Sequence, residues 1–369
     1  MHTKVKNPSL EVIARKCGLS RMTVSRVLRD DPNVSADTRE FVLRMAEKVG
    51  FQVSRSLSRA ESSTTRNYAI LFQPEYSLSD SFFSGIILSM QRELFEQGCD
   101  CSVGILGDDY REFLKLNRML RARRVRGVLV VGDIPPRYAE SLRESFVNVV
   151  LVDYSGNQAS ARPCVAVCPE NVHGGHLALN HLFNLGRKRI LLISGREGHY
   201  FSNDLLRAYR EVMAENNLEV DPRLIVNGDF HVEGGFEAAK KALEKGISFD
   251  GIFTNDEMAC GAIKALKLFK LRIPEDVSVV GFDGLPIGKV VSPALTTVVV
   301  DREKMGRLAV RRLLALEQEP ELDEDLEKIS IFPKLLVRES CGATRTAAGA
   351  AVANNGRRVR RILRPGERD

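Results

Sequence analysis

The sequence predicts an all-α helix-turn-helix head followed by a two-lobed α/β body of parallel sheets flanked by helices. Three observations predict this. Near the start, short stretches of helical periodicity meet at a glycine turn, "CGLS". From Asn67 onward, apolar runs alternate with amphipathic stretches, the pattern of parallel strands covered by helices. Four such runs fall before residue 160 and four after it, which predicts two similar lobes. The boundaries drawn are 1–50 for the head, 51–66 for a linker, 67–340 for the body and 341–369 for a basic tail.

Composition sets the limits. A chain of 369 residues is too long for one small core. No apolar run reaches about 18 residues, so no membrane partner is expected. The opening "MHTKVKNPSLEVIARKCG" has no apolar segment before a cleavage site, so a cytoplasmic location is expected. The seven cysteines are scattered, and no histidine pair or second Cys-x-x-Cys completes a metal set. Reduced, buried thiols and no metal or cofactor are expected. The net charge is +6, unevenly placed. Residues 1–66 carry +6 and residues 341–369 carry +5, leaving −5 for the middle. A basic head on an acidic body points to a polyanion partner for the head.

In the head, Ser9 is placed to cap a first helix with Leu10, Ile13 and Ala14 on one face, ended by Gly18. Ser20 caps a second helix, from Arg21 to about Arg29, with Val24, Val27 and Leu28 inward. Ser35 caps a third, whose Phe41, Val42, Met45 and Val49 close the small core before Gly50. The outward face of the second helix then shows Arg21, Met22, Ser25 and Arg26. Such a helix fits the DNA major groove with its first turn toward base edges, where an arginine can fork onto guanine. Met22 offers mainly apolar contact, for instance with a thymine methyl. Ser20, Thr23, Ser35 and Thr38 suit phosphate contacts.

The run "LEVIARKCGLSRMTVSRVLRDDPNVSADTREFVLRMAEKVGF" resembles the DNA-binding head of the lactose/galactose repressor (LacI/GalR) family. That resemblance implies operator preference at Arg21 and Met22 and a shared guanine contact at Arg26. It also implies a homodimer on a palindromic double-stranded operator. The linker departs from the family pattern. Val53 stands where proline is usual, and Ala60 where a leucine wedges into the minor groove. Leu57 lies one turn earlier. A wedge at Leu57 and a plain tether both remain open readings.

The body's runs are "YAILF", "CDCSVGIL", "GVLVVG", "NVVLVD", "RILLIS", "LIVNGDF", "DGIFTND" and "VSVVGFDG". Ligands of such sheets bind at the carboxyl ends of the strands, here in a cleft between lobes. The segments "NVHGGHLALNHLFNLGRKRILLISG", "FTNDEMACGAIKAL" and "RIPEDVSVVGFDG" resemble the effector domain of the same family, which is like a periplasmic sugar-binding protein. The resemblance places a small-molecule effector against Asp153, Phe230, Asn255 and Asp283. For Asn255 and Asp283 the alternative is loop capping at strand ends. Asp80, Phe82 and Phe83 on the first lobe, and His199, Tyr200 and Asn203 on the second, complete the candidate pocket. The family's usual arginine is lost, because the run reads Leu205-Leu206-Arg207-Ala208-Tyr209. A pocket without it favours a neutral sugar or polyol. "GREGHY" reads only as a loop glycine pair.

His173, His176 and His181 fall inside a family packing motif, so packing is the reading preferred over zinc. No nucleophile elbow, P-loop or paired acid/base constellation is present, and no catalytic residue is expected. The tail, rich in Ala, Gly and Arg, is expected to be disordered and to add nonspecific attraction to polyanions. The expectation is a sequence-specific, ligand-controlled transcription regulator. A cytoplasmic solute-binding protein and a sugar-active enzyme on the same scaffold are the alternatives.

Overall fold

A computed structural model describes residues 10–28, 34–49, 66–74, 81–107, 109–146, 148–154, 164–318 and 327–343. The chain divides into two compact units, Met1–Thr65 and Arg66–Asp369. The expectations for Ser9, Arg29, Gly50, Leu57 and Asp80 lie outside the described residues, as do the linker up to residue 65 and most of the tail.

Among its described residues the first unit has three helices, α1 (Leu10–Cys17), α2 (Arg21–Leu28) and α3 (Ala36–Lys48). Gly18 ends α1 at φ +66°, the left-handed region that glycine enters freely, and Leu19 N–H returns to the Ala14 carbonyl at 3.1 Å. Ser20 Oγ accepts from Thr23 N–H at 3.0 Å and starts α2. Ser35 does the same for α3, less tightly, with Thr38 N–H at 3.4 Å. Ile13, Ala14, Cys17, Val24, Val27, Val42 and Ala46 are buried together. One expectation fails here: Phe41 is 48% exposed. The inward stripe of α3 runs 42, 45, 46 and 49, a three-and-four repeat, and Phe41 stands about 100° away from it.

The second unit begins with β1 (Asn67–Phe72), α4 (Ser81–Glu96), β2 (Asp100–Ile105), α5 (Tyr110–Ala122), β3 (Gly127–Val131), α6 (Pro136–Ser145), β4 (Asn148–Val152) and β5 (Val165–Pro169). It continues with α7 (Asn171–Asn184), β6 (Ile190–Ser194), α8 (Tyr200–Glu215), β7 (Ile225–Asn227), α9 (Val232–Glu244), β8 (Gly251–Phe253), α10 (Asp256–Leu268) and β9 (Ser278–Asp283). Last come α11 (Ile287–Val290), β10 (Thr296–Val299), α12 (Arg302–Gln318), β11 (Lys328–Ile331) and β12 (Lys334–Leu336). The strands form two six-stranded sheets, ordered β11-β5-β4-β3-β1-β2 and β12-β10-β9-β8-β6-β7. Every pairing is parallel except β10 with β12. Strands β3, β4, β5, β6 and β9 are buried at every residue, which explains their continuous apolar text.

The eight apolar runs are all strands, and four further strands join them: β5, β10, β11 and β12. These additions make the lobes interdependent. The chain passes from the first sheet to the second after β5. It returns through α12, which packs on α4 and on β3–β5, and crosses again between β11 and β12. Cys341 is 2% exposed and its carbonyl accepts from Ser278 Oγ at 3.0 Å, so the start of the expected tail packs into the second lobe.

Of the three histidines, His176 meets Glu211 at 2.9 Å and His181 lies buried against the Cys341 thiol at 3.3 Å. His173 stacks edge-on to Phe332.

Candidate functional site

Helix α2 places Arg21, Met22, Ser25 and Arg26 within two turns. Met22 is 68% exposed although it is apolar, and nothing in the head's core claims it. Arg21 lies 3.9 Å from the Glu11 carboxylate, and both side chains are largely exposed. That ion pair is too open to hold the arginine in place. Ser20 and Thr23 hydroxyls pair at 2.8 Å, and Ser35 and Thr38 hydroxyls repeat the arrangement at 2.8 Å. Each pair uses one of its two O–H groups, so each keeps one donor at a helix N-terminus, where an anion is favoured.

In the second unit a cleft is lined by Phe82, Asp153, His199, Phe230, Asn255 and Asp283, all expected from the sequence. Phe83 and Tyr200 also line it. Three of these residues share a backbone peculiarity: Asp153, Phe230 and Asp283 have φ values of 59°, 76° and 107°. Among the described residues the other non-glycine residues of positive φ, Arg124, Asn217 and Lys270, each directly follow a helix C-cap, where a left-handed residue is routine. At strand ends facing a cleft such backbone is costly, on the order of 1–3 kcal/mol per residue, and persists only when its surroundings enforce it.

Those surroundings can be named. The Phe230 carbonyl accepts from Asn255 Nδ2 at 3.1 Å, and Asn255 Oδ1 caps α10 through Met258 N–H at 3.0 Å. The Phe230 ring lies over Gly195, where a Cβ would come within 1.7 Å of its Cε1. Behind Asp283 sits Asp256, fully buried. Its carboxylate accepts from Thr297 Oγ1 at 2.5 Å and from Leu285 N–H at 2.6 Å. Burial pushes the Asp256 pKa up to about 7, against the opposing pull of those hydrogen bonds and of Arg338.

His199 caps α8, its Nδ1 accepting from Phe201 N–H at 3.3 Å, so its Nε2 carries the proton. Its ring meets Phe230 edge-on at 4.8 Å. Burial first, and then the Arg196 charge, press its pKa down to about 4. The imidazole is therefore neutral at neutral pH. Together the cleft offers ring faces for C–H surfaces and carboxylates for hydroxyl donors.

Two expectations change. Asn203 does not line the cleft. It is exposed on α8, with its amide turned back toward the Gly198 carbonyl at 3.5 Å. The "GREGHY" loop is more than a glycine pair: its Arg196 lines the cleft 5.9 Å from the Phe230 ring centroid, while Leu205, at the position of the lost arginine, is buried in the core. The signal was available, since Arg196 lies two residues past the end of β6, and strand carboxyl ends carry ligand groups in such sheets. Asn171, Phe201, His231, Glu257 and Phe282 also line the cleft. His231 and Glu257 face each other at 3.5 Å.

Known proteins resemble both units. Residues 9–55 match the profile "Bacterial regulatory proteins, lacI family", and residues 179–341 match "Periplasmic binding protein-like domain". The HTH-type transcriptional repressor PurR of Haemophilus influenzae (strain PittEE) is 27% identical over 336 residues, 90% of this chain and 98% of that protein. A solved complex of the transcriptional regulator CelR with cellobiose is 28% identical with a TM-score of 0.67, covering 90% of this chain and 100% of that one. The Lac repressor dimer bound to operator and the anti-inducer ONPF shares the fold, at 24% identity and a TM-score of 0.70, covering 92% of this chain and 100% of that one.

Proposed function

The chain belongs to the lacI family of bacterial regulatory proteins, and on that premise we propose a DNA-binding transcriptional repressor controlled by a neutral sugar. The sugar binds in the cleft of the second unit. The observation that carries the ligand reading is the trio of left-handed residues, Asp153, Phe230 and Asp283, around one cleft. Two carboxylates and a ring held in costly backbone suit a ligand with hydroxyls on its edges and C–H groups on its faces. The solved CelR relative holds cellobiose, which supports that class.

In the head, Arg26 and Arg21 read base edges, Met22 meets an apolar group, and the Ser20–Thr23 and Ser35–Thr38 pairs hold phosphates. The protein works as a homodimer on a palindrome. Its first lobe offers Leu88 and Phe95, two turns apart on α4, and Val103 and Ile105 on the edge strand β2, all exposed in the single chain. A second copy would cover them. We assign no catalysis to the chain, and place it in the cytoplasm with its DNA. Sugar binding shifts DNA affinity by its difference in affinity between two arrangements of the lobes.

The test is selection of bound duplexes from a random pool by the full chain. A palindrome should emerge, and a neutral mono- or disaccharide should change the affinity for it. No enrichment at modest salt would overturn the reading.

A further inference from the structure

Among the described residues, four buried side-chain atoms of neutral residues lack a hydrogen-bond partner: Oδ1 of Asn117, Asn148 and Asn171, and Ser202 Oγ. Of these residues, Asn171 is the one that lines the cleft. It is 4% exposed and opens α7, directly after the chain's first passage between lobes. A buried amide oxygen with no partner is costly, so its persistence at a binding cleft calls for a use.

The orientation of this amide follows from its neighbour. Asn171 Nδ2 donates to Asp204 Oδ2 at 3.0 Å. An ionised carboxylate only accepts, so the nitrogen must face Asp204 and the carbonyl oxygen must be the free end. Asp204 is the fifth residue of α8, and burial raises its pKa against the opposing pull of the Asn171 bond. It acts on the site through Asn171, as a positioning residue.

We propose that Asn171 is a specificity-determining ligand contact whose Oδ1 accepts a hydrogen bond from one hydroxyl of the bound sugar. This rests on the neutral-sugar reading above. A ligand that presents only acceptors at that point leaves the buried oxygen unmatched and is rejected. The demand differs from that of Asp153 and Asp283, because a neutral acceptor does not raise the affinity for cations or amines.

The experiment uses the full chain and a panel of neutral mono- and disaccharides that includes cellobiose. Binding is read by calorimetry, and the best binder is then tested as its single deoxy and deoxyfluoro derivatives. One derivative should lose about tenfold in affinity for the unmodified chain, since neither hydrogen nor fluorine donates. Asn171→Ala should lose about as much for the parent sugar and should no longer distinguish the parent from that derivative. Asn171→Leu, close in volume, gives the same reading if the alanine variant does not fold. Asp204→Asn should weaken the parent sugar without restoring the derivative.

Equal discrimination by the unmodified chain and the Asn171 variants would overturn the proposal. So would a derivative series in which no hydroxyl matters more than twofold. If no sugar binds the unmodified chain, the neutral-sugar reading fails. The same variants are then read against nucleobases, whose N–H groups make the same demand, and unchanged binding there overturns the role of Asn171.

Discussion

The reading helix gathers Arg21, Met22, Ser25 and Arg26 within six consecutive residues, while Asp153, Phe230, Asn255 and Asp283 reach the cleft from four separate strand ends. The helix needs only its caps and a small core beneath it. Its side chains project outward, and their spacing follows from helical geometry. Asp153, Phe230 and Asp283 instead sit in costly backbone, and the last two have named supports: Asn255 on the Phe230 carbonyl, Gly195 beneath its ring, Asp256 behind Asp283. One site should therefore be sensitive at the residues that touch its ligand. The other should be equally sensitive at residues that touch nothing but the protein.

The largest expected effect tests that contrast through Asp256. Its folded pKa is about 7 against 3.8 for an ordinary aspartate, so the folded chain holds a proton that the unfolded chain releases. Stability from this group is complete below about pH 4 and is lost as pH rises toward 7, on the order of a few kcal/mol. Asp256→Asn should remove that slope from urea-unfolding free energies measured between those limits, and should weaken sugar binding. An unchanged slope would place the charge elsewhere.

Arg26→Ala comes next. It should cost about 1–3 kcal/mol on the preferred operator and relax one base position, measured by fluorescence anisotropy on single-base variants. An equal loss on every sequence would mean a phosphate contact. Sugar affinity should not move.

Gly195→Ala follows. The new methyl cannot coexist with the Phe230 ring, which must turn away. Sugar affinity should fall roughly tenfold by calorimetry, while operator affinity without sugar stays as it was. If sugar affinity holds, the ring is not a ligand surface.

The smallest effect belongs to Met22→Ala. Loss of one exposed apolar contact should cost under about 1 kcal/mol, confined to one base position in a selection from random duplexes. Thermal stability should be unaltered.

Much of this was legible in the text of the chain. Ser20 and Ser35 could be read as caps because a cap acts three residues away. The eight apolar runs could be read as strands because sheets buried on both faces need continuous apolar sequence. The strands β10, β11 and β12 could not, since each gains its place by pairing with a partner distant in the chain. Phe41 was misplaced by one helical step. Asn203 was assigned by its position along the chain, yet α8 carries it outward.

By itself the sequence determined the head, the alternation of strand and helix, and the strand ends that supply Asp153, Phe230 and Asp283. Those properties rest on periods of two to seven residues and on caps and turns, all local. Only the tertiary structure decided that Arg196 joins the lining of the cleft, that Asp256 lies buried behind Asp283, and that Asn171, whose buried amide oxygen lacks a partner, is among the residues that line it. Each of these depends on chain segments that meet only after the sheets have formed, and no local pattern records which distant side chain will lie across the cleft.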